Sequence, residues 1–211
     1  MIFYVADTHF SYEPLVESRG FGSAAQMDEA LIENWNNTVS DEDTVYLVGD
    51  IGYNEGYVPC EILARLKGRK HLIRGNHDTC YENAQLLYRY FETVTDFLEI
   101  DDGNTHILLS HYPLLYNKRG YMIHGHLHNG DQFYDILKNL PRMLNCGVDL
   151  NGMKPVTLEE LVRNNEIFYA NPPVKSPYRP RGRKGYLPGV PDFRPIPERP
   201  KDFLEKFKNN A

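Results

Sequence analysis

The sequence predicts an α/β layered sandwich, and three observations predict it. Short apolar β-runs alternate with helical segments through the first 91 residues, and from residue 94 strand-rich sequence takes over. The 211 residues are 41% hydrophobic and 25% charged. That is an ordinary soluble composition, with chain enough for one good core and something extra. Alternating strands and helices build parallel β-α-β units, so such units come first.

The elements follow in order. Residues 2–6 form a short apolar strand ending at Asp7. Over 23–39, Ala24, Met27, Leu31, Trp35 and Val39 fall at helical spacing, with Ser23 as N-cap. The run TVYLV at 44–48 is a strand closed by Gly49-Asp50. Residues 58–66 are helical and stop at Gly68; 71–74 are a strand closed by Gly75-Asn76; 84–91 are helical again. Strands at 94–100 and 105–110 are joined across Asp101-Asp102-Gly103, a hairpin signal. Residues 121–124 and 142–148 are strands. Thr157 and Glu160 form a capping box for a helix to Arg163, and 166–170 read as a last edge strand. There is no internal repeat.

Composition shifts sharply near Asn171. Residues 171–211 carry 10 Lys+Arg against 4 Asp+Glu and nine of the 14 prolines, while the first 170 carry 13 against 25. The chain is therefore read as an acidic globular domain over 1–170 and a basic, Pro-rich extension over 171–211. Tyr178, Tyr186, Leu187, Phe193, Phe203, Leu204 and Phe207 would anchor that extension on the domain or on a partner subunit, which would make a homo-oligomer, with a short helix near 200–208. A solvated tail and a polyanion contact are the alternatives. No run approaches the roughly 18 apolar residues of a membrane helix. The start, MIFYVADTHF, has no basic region of a signal peptide. Cys60, Cys80 and Cys146 are widely spaced and odd in number, which reads as reduced thiols in a cytoplasmic protein.

Five strands end in polar segments: Asp7-x-His9, Gly49-Asp50, Gly75-Asn76-His77-Asp78, Ser110-His111 and Gly125-His126-x-His128. In α/β sheets, ligand groups collect beyond the carboxyl ends of strands. Asp7, His9, Asp50, Asn76, His111, His126 and His128 supply two carboxylates, one amide oxygen and four imidazoles. Mixed nitrogen and oxygen donors suit Mn²⁺ first, with Fe, Zn²⁺ or Ni²⁺ as alternatives, better than Ca²⁺ or Mg²⁺. Seven donors exceed the need of one ion and match two if one carboxylate bridges. Two divalent ions about 3.5–4 Å apart clamp an in-line displacement at phosphorus and acidify a bridging water to hydroxide. Two ions, two aspartates and a hydroxide leave a net charge of about +1 to meet a phosphate anion. Each segment alone is commonplace; their ordered coincidence, each after a strand, points to a metal site. His71 and His106 read as packing or surface residues, and His124 as packing or as support behind the ligands.

These segments resemble the signature of the calcineurin-like metallophosphoesterase superfamily: D-x-H, G-D, G-N-H-D, H and G-H-x-H. The resemblance is closer still to small stand-alone predicted phosphoesterases of bacteria and phages, through Met27–Asn36, Leu66–Asp78 and Pro155–Leu161. It covers residues 1–163; the extension has no counterpart in it. The resemblance implies a four-layer α/β/β/α sandwich. It places Asp7, His9, Asp50 and His128 on one metal and Asp50, Asn76, His111 and His126 on the other. It puts His77 at the leaving-group oxygen as general acid or charge stabiliser, with Asp78 orienting it.

The superfamily's protein phosphatases follow G-D with x-V-D-R-G and carry G-N-H-E. This chain has Ile51-Gly52-Tyr53-Asn54-Glu55-Gly56 and G-N-H-D, so a protein phosphatase is disfavoured. Ser11-Tyr12-Glu13-Pro14 and Arg19-Gly20-Phe21 also depart from near relatives, on what reads as the substrate side. Without an Arg clamp for a monoester dianion, the expected substrate is a phosphodiester of a small nucleotide or nucleic acid. Tyr12, Tyr53, Tyr57, Tyr81, Tyr112 and Tyr116 lie in or beside the motif loops, as base-stacking surfaces or as rim packing. A phosphomonoesterase or nucleotide phosphatase is the alternative, and a non-catalytic scaffold on the same fold the rival from another class.

Overall fold

The computed structural model describes residues 1–52, 59–78, 87–115, 119–131 and 133–171, all within the compact unit Met1–Val174. The extension from 172 onward, with its expected anchors and helix, lies outside the described residues. So do Cys80, Tyr53, Tyr57, Tyr81, Tyr116 and residues 84–86 of the helix expected at 84–91.

Two four-stranded sheets form the centre. In the first, β1 (Ile2–Val5), β2 (Thr44–Leu47), β3 (Arg69–Ile73) and β4 (Thr93–Thr95) run parallel in chain order. In the second, β5 (Leu98–Asp102) is antiparallel to β6 (Thr105–Leu109), and β7 (Tyr121–His124) and β8 (Met143–Asn145) continue in parallel. The short parallel bridge Ala6 to Gly147 ties the end of β1 to the segment after β8.

Strand alternation sorts the core into layers. Phe3, Val5, Val45, Leu47 and Leu72 share one cluster with Met27, Leu31 and Trp35 of α1 (Ala24–Thr38). Their neighbours Tyr4, Ala6 and Ile73 point the other way and meet Ile107, Leu109, Ile123 and Leu144 of the second sheet. Leu108, Met122 and Met143 on that sheet's outer face pack with Leu137 of α3 (Tyr134–Leu137). The order is helix, sheet, sheet, helix. Ser23 caps α1 by accepting the Gln26 amide, and Trp35 Nε1 donates to the Lys67 carbonyl at 3.0 Å. In the span expected to be helical at 58–66, α2 (Cys60–Leu63) is the described helix.

Two expectations are corrected. The strand expected at 94–100 is two strands in two sheets. Thr95 Oγ1 donates to the Phe97 carbonyl at 3.0 Å, and Arg74 holds the Asp96 carboxylate, so the chain turns at 96–97. The edge strand expected at 166–170 is instead the last part of α4 (Leu158–Ala170). Tyr134 donates to the Tyr169 carbonyl, and its ring packs on Phe168 and Tyr169, holding the last turns helical. The expected capping box of Thr157 and Glu160 is present at the start of α4. Among the described residues no helix is long and apolar enough to cross a membrane.

Candidate metal centre

The polar segments after β1, β2, β3, β6 and β7 meet at one edge of the two sheets. The backbone there is unusual: Asp7, His9, Asp50, His126 and His128 all have φ between 49° and 71°. Non-glycine residues visit this region rarely and at a cost, and such strain gathers at functional sites. Glycine is required beside them. A Cβ on Gly75 would lie 2.2 Å from Asp50 Oδ1, and one on Gly49 would lie 2.3 Å from His111 Nδ1.

Three donor groups each have ligand atoms within 4.8 Å of one another: Asp7–His9–His128, His9–Asp50–His77 and Asp50–His111–His126. They link through His9 and Asp50, whose Nε2 and Oδ2 are 3.6 Å apart. Asp50 Oδ2 is also 3.3 Å from His111 Nε2, and Asn76 Oδ1 lies 3.1 Å from that same nitrogen. The His9 and His128 rings stack at 5.1 Å, and His111 meets His126 edge-on at 5.1 Å. All seven sequence-derived donors are thus brought together, with His77 among them.

The electrostatics of the cluster suit a cation. Both ring nitrogens of His9 are buried and lack a hydrogen-bond partner. Burial pushes the His9 imidazole down to about 3, so it stays neutral with a lone pair to give. Burial pushes the Asp7 carboxyl up to about 6. Burial would raise Asp50 too, but the hydrogen bond and charge of His111 more than offset it and hold that carboxyl at about 2. Buried, unpaired imidazoles and packed carboxylates are costly unless a cation joins them. The donor set therefore fits divalent metal ions.

Asp78 sits differently from its expected role. Its carboxylate accepts the backbone amides of Asp50 at 2.7 Å, Ile51 at 2.9 Å and Gly75 at 2.7 Å. No hydrogen bond joins it to His77, whose Nδ1 is buried and unpartnered. Asp78 therefore braces the G-D loop against the G-N-H-D loop. His77 lies edge-on to His9 at 4.9 Å, and Tyr12 stacks on His9 at 5.2 Å. Tyr112, half-exposed, meets His111 and His126 edge-on at 5.1 and 4.9 Å. His124 is buried, with Nδ1 2.8 Å from the Gly125 carbonyl. His71 stacks on Tyr46, and His106 lies between Glu99 and Asp101.

The model of the calcineurin-like phosphoesterase family matches residues 1–196 of this chain. The chain belongs to that family. As a calcineurin-like phosphoesterase it is a metal-dependent phosphoester hydrolase, and its His and Asp groups are candidate metal-binding groups. The match runs beyond the composition shift at 171. The chain is 33% identical to the uncharacterized protein MJ1445 of Methanocaldococcus jannaschii over 168 residues, which cover 77% of this chain and 89% of that protein. It is 27% identical to the Gene 66 protein of Mycobacterium phage D29, over 70% of this chain and 87% of the other. Among solved structures it resembles the protein of unknown function AQ665 from Aquifex aeolicus, with TM-score 0.62 and 25% identity, covering 77% and 98% of the two chains.

Asp149 is absent from the sequence reading, and Arg19 stands elsewhere than that reading puts it. Asp149 bonds His128 Nδ1 at 2.7 Å, and Arg19, expected on the substrate side, is buried against Asp149. The available signal for Asp149 was Gly147-Val148-Asp149 at the end of a strand, the same grammar as the motif segments. It lacks the histidine that marks most of those segments.

Proposed function

We propose that this calcineurin-like phosphoesterase hydrolyses a phosphodiester of a nucleotide or nucleic acid at a centre of two divalent ions, Mn²⁺ first. Asp7, His9, Asp50 and His128 would hold one ion, and Asp50, Asn76, His111 and His126 the other. The observation that carries this reading is the pair of donor groups, Asp7–His9–His128 and Asp50–His111–His126, joined by the His9–Asp50 approach of 3.6 Å. Bound there, the ions would supply an acidified water and neutralise phosphate charge.

The chain's own groups do the rest. Asp50, held ionised, contributes to both sites. His77 would hold a proton for the leaving oxygen, beside His9 and Tyr12. Tyr12 and Tyr112 flank the donors and offer faces on which a base can stack. The diester preference follows from Arg19: its guanidinium is spent on Asp149, Asp7 and Thr8, leaving it no donor for a monoester dianion.

The test is p-nitrophenol release from bis-p-nitrophenyl phosphate and from p-nitrophenyl phosphate by Mn²⁺-loaded protein, each against a metal-free control. Metal-dependent release, faster from the diester, is the expected result. Preference for the monoester would favour the monoesterase reading. No release from protein carrying two ions would favour the scaffold.

A further inference from the structure

Behind Asp7, His9 and His128 lies a buried ion pair that the signature does not contain. The Arg19 and Asp149 side chains are only 3% and 9% exposed. Arg19 Nε and Nη2 donate to the Asp149 carboxylate at 2.8 and 3.1 Å. Nη1 donates to the Thr8 carbonyl at 2.9 Å and faces Met27 Sδ at 3.8 Å; Nη2 also donates to the Asp7 carbonyl at 2.7 Å. All five guanidinium N–H groups are thus engaged. Asp149 Oδ2 accepts from His128 Nδ1 at 2.7 Å. A carboxylate can only accept, so the proton sits on Nδ1 and the lone pair of Nε2 is left for a metal.

One pair therefore grips the backbone of Asp7-Thr8 and the ring of His128. Local structure places both partners. The Arg19 amide donates to the Leu15 carbonyl at 3.0 Å, and the Val148 amide donates to the Ala6 carbonyl at 3.0 Å, seating Asp149 beside the end of β1. Two members of the other donor group rest on different atoms: His111 Nδ1 on the Val48 carbonyl at 2.9 Å, and the Asp50 amide on Asp78; the third, His126, donates its amide to the Asp7 carboxylate at 3.0 Å. A buried ion pair adds little net stability, because desolvation offsets its attraction. Fixing ligands in place is what this one achieves.

We infer that Arg19 and Asp149 are a positioning pair chiefly for one ion: they preset Asp7, His9 and His128, while Asp50 and His111 of the other group keep supports of their own. The inference rests on the two-ion reading above. Its test is Mn²⁺ titration of wild type, Asp149→Asn and Arg19→Lys, counting bound ions and following Mn²⁺–Mn²⁺ coupling by electron paramagnetic resonance. Lysine keeps the charge facing Asp149 but lacks the fork, so Arg19→Lys serves where Asp149→Asn does not fold by circular dichroism. Arg65→Ala, which removes the exposed pair with Glu29, is the control.

Wild type and the control should bind two coupled ions. Each positioning variant should keep one ion at wild-type affinity and weaken the other about 10- to 100-fold, losing coupling at limiting Mn²⁺. Two ions at wild-type affinity in both variants would overturn the inference, and so would equal weakening of both ions. Fewer than two ions in wild type would strike down the two-ion reading itself, and the inference with it.

Discussion

Asp78 satisfies three backbone amides from two loops with one carboxylate. Asp78→Ala would leave those donors unpaired, and metal-free protein should lose about 3 kcal/mol or more in urea unfolding, with Asp78→Asn losing less. His77 is the other decisive residue. His77→Ala should keep both ions while turnover falls about 10²- to 10⁴-fold, the usual share of a general acid. An ion lost with it would make His77 a ligand. At this scale the sequence was legible wherever chemistry demands a residue type at a strand end, as at Asp7, His9 and Asp50. It was illegible where one charge acts across 130 residues, as Arg19 does on Asp149. Asp78 shows a third case: the residue stands out in the motif, but its partners are backbone amides that no pattern announces.

Elements obey their local signals until tertiary contacts intervene. The Thr157 and Glu160 box sets the start of α4, and Thr157→Ala should cost about 1 kcal/mol. Burial would raise the Glu160 carboxyl, but the Thr157 amide and Lys154 more than offset it and hold it below its ordinary 4.5. A lowered acid stabilises the fold above its unfolded value and loses that contribution as pH falls through the folded one. In thermal unfolding from pH 6 down to pH 3, Glu160→Gln should therefore differ most from wild type at the upper end and converge with it at the lower. The end of α4 went the other way. Glu166–Ala170 is rich in strand formers, yet Asn165 is buried with its amide on Asn145, and Tyr134 holds Tyr169, so the helix runs on. The run at 94–100 reads as one strand because both halves favour β structure; the Arg74–Asp96 pair and the Thr95 turn mark the change of sheet.

The whole molecule couples folding to its centre, because the donors come from both sheets. Ions bound to the native state alone stabilise it by about 2.7 kcal/mol each at one hundred times their dissociation constant. A chelator should therefore lower the melting temperature of wild type, and lower it less in Asp50→Asn. Residues 1–170 carry 25 Asp+Glu against 13 Lys+Arg, and residues 171–211 reverse that sign. Should the extension meet a polymeric substrate, RNA cleavage would fall steeply with salt while hydrolysis of a small diester would not. The measurement that tests the central claim most directly is the number of Mn²⁺ ions bound per chain at equilibrium, in wild type and in Asp50→Asn. The account predicts two ions in wild type and weakened binding of both when the shared carboxylate is neutralised. A single ion in wild type, or two ions indifferent to Asp50, would contradict it.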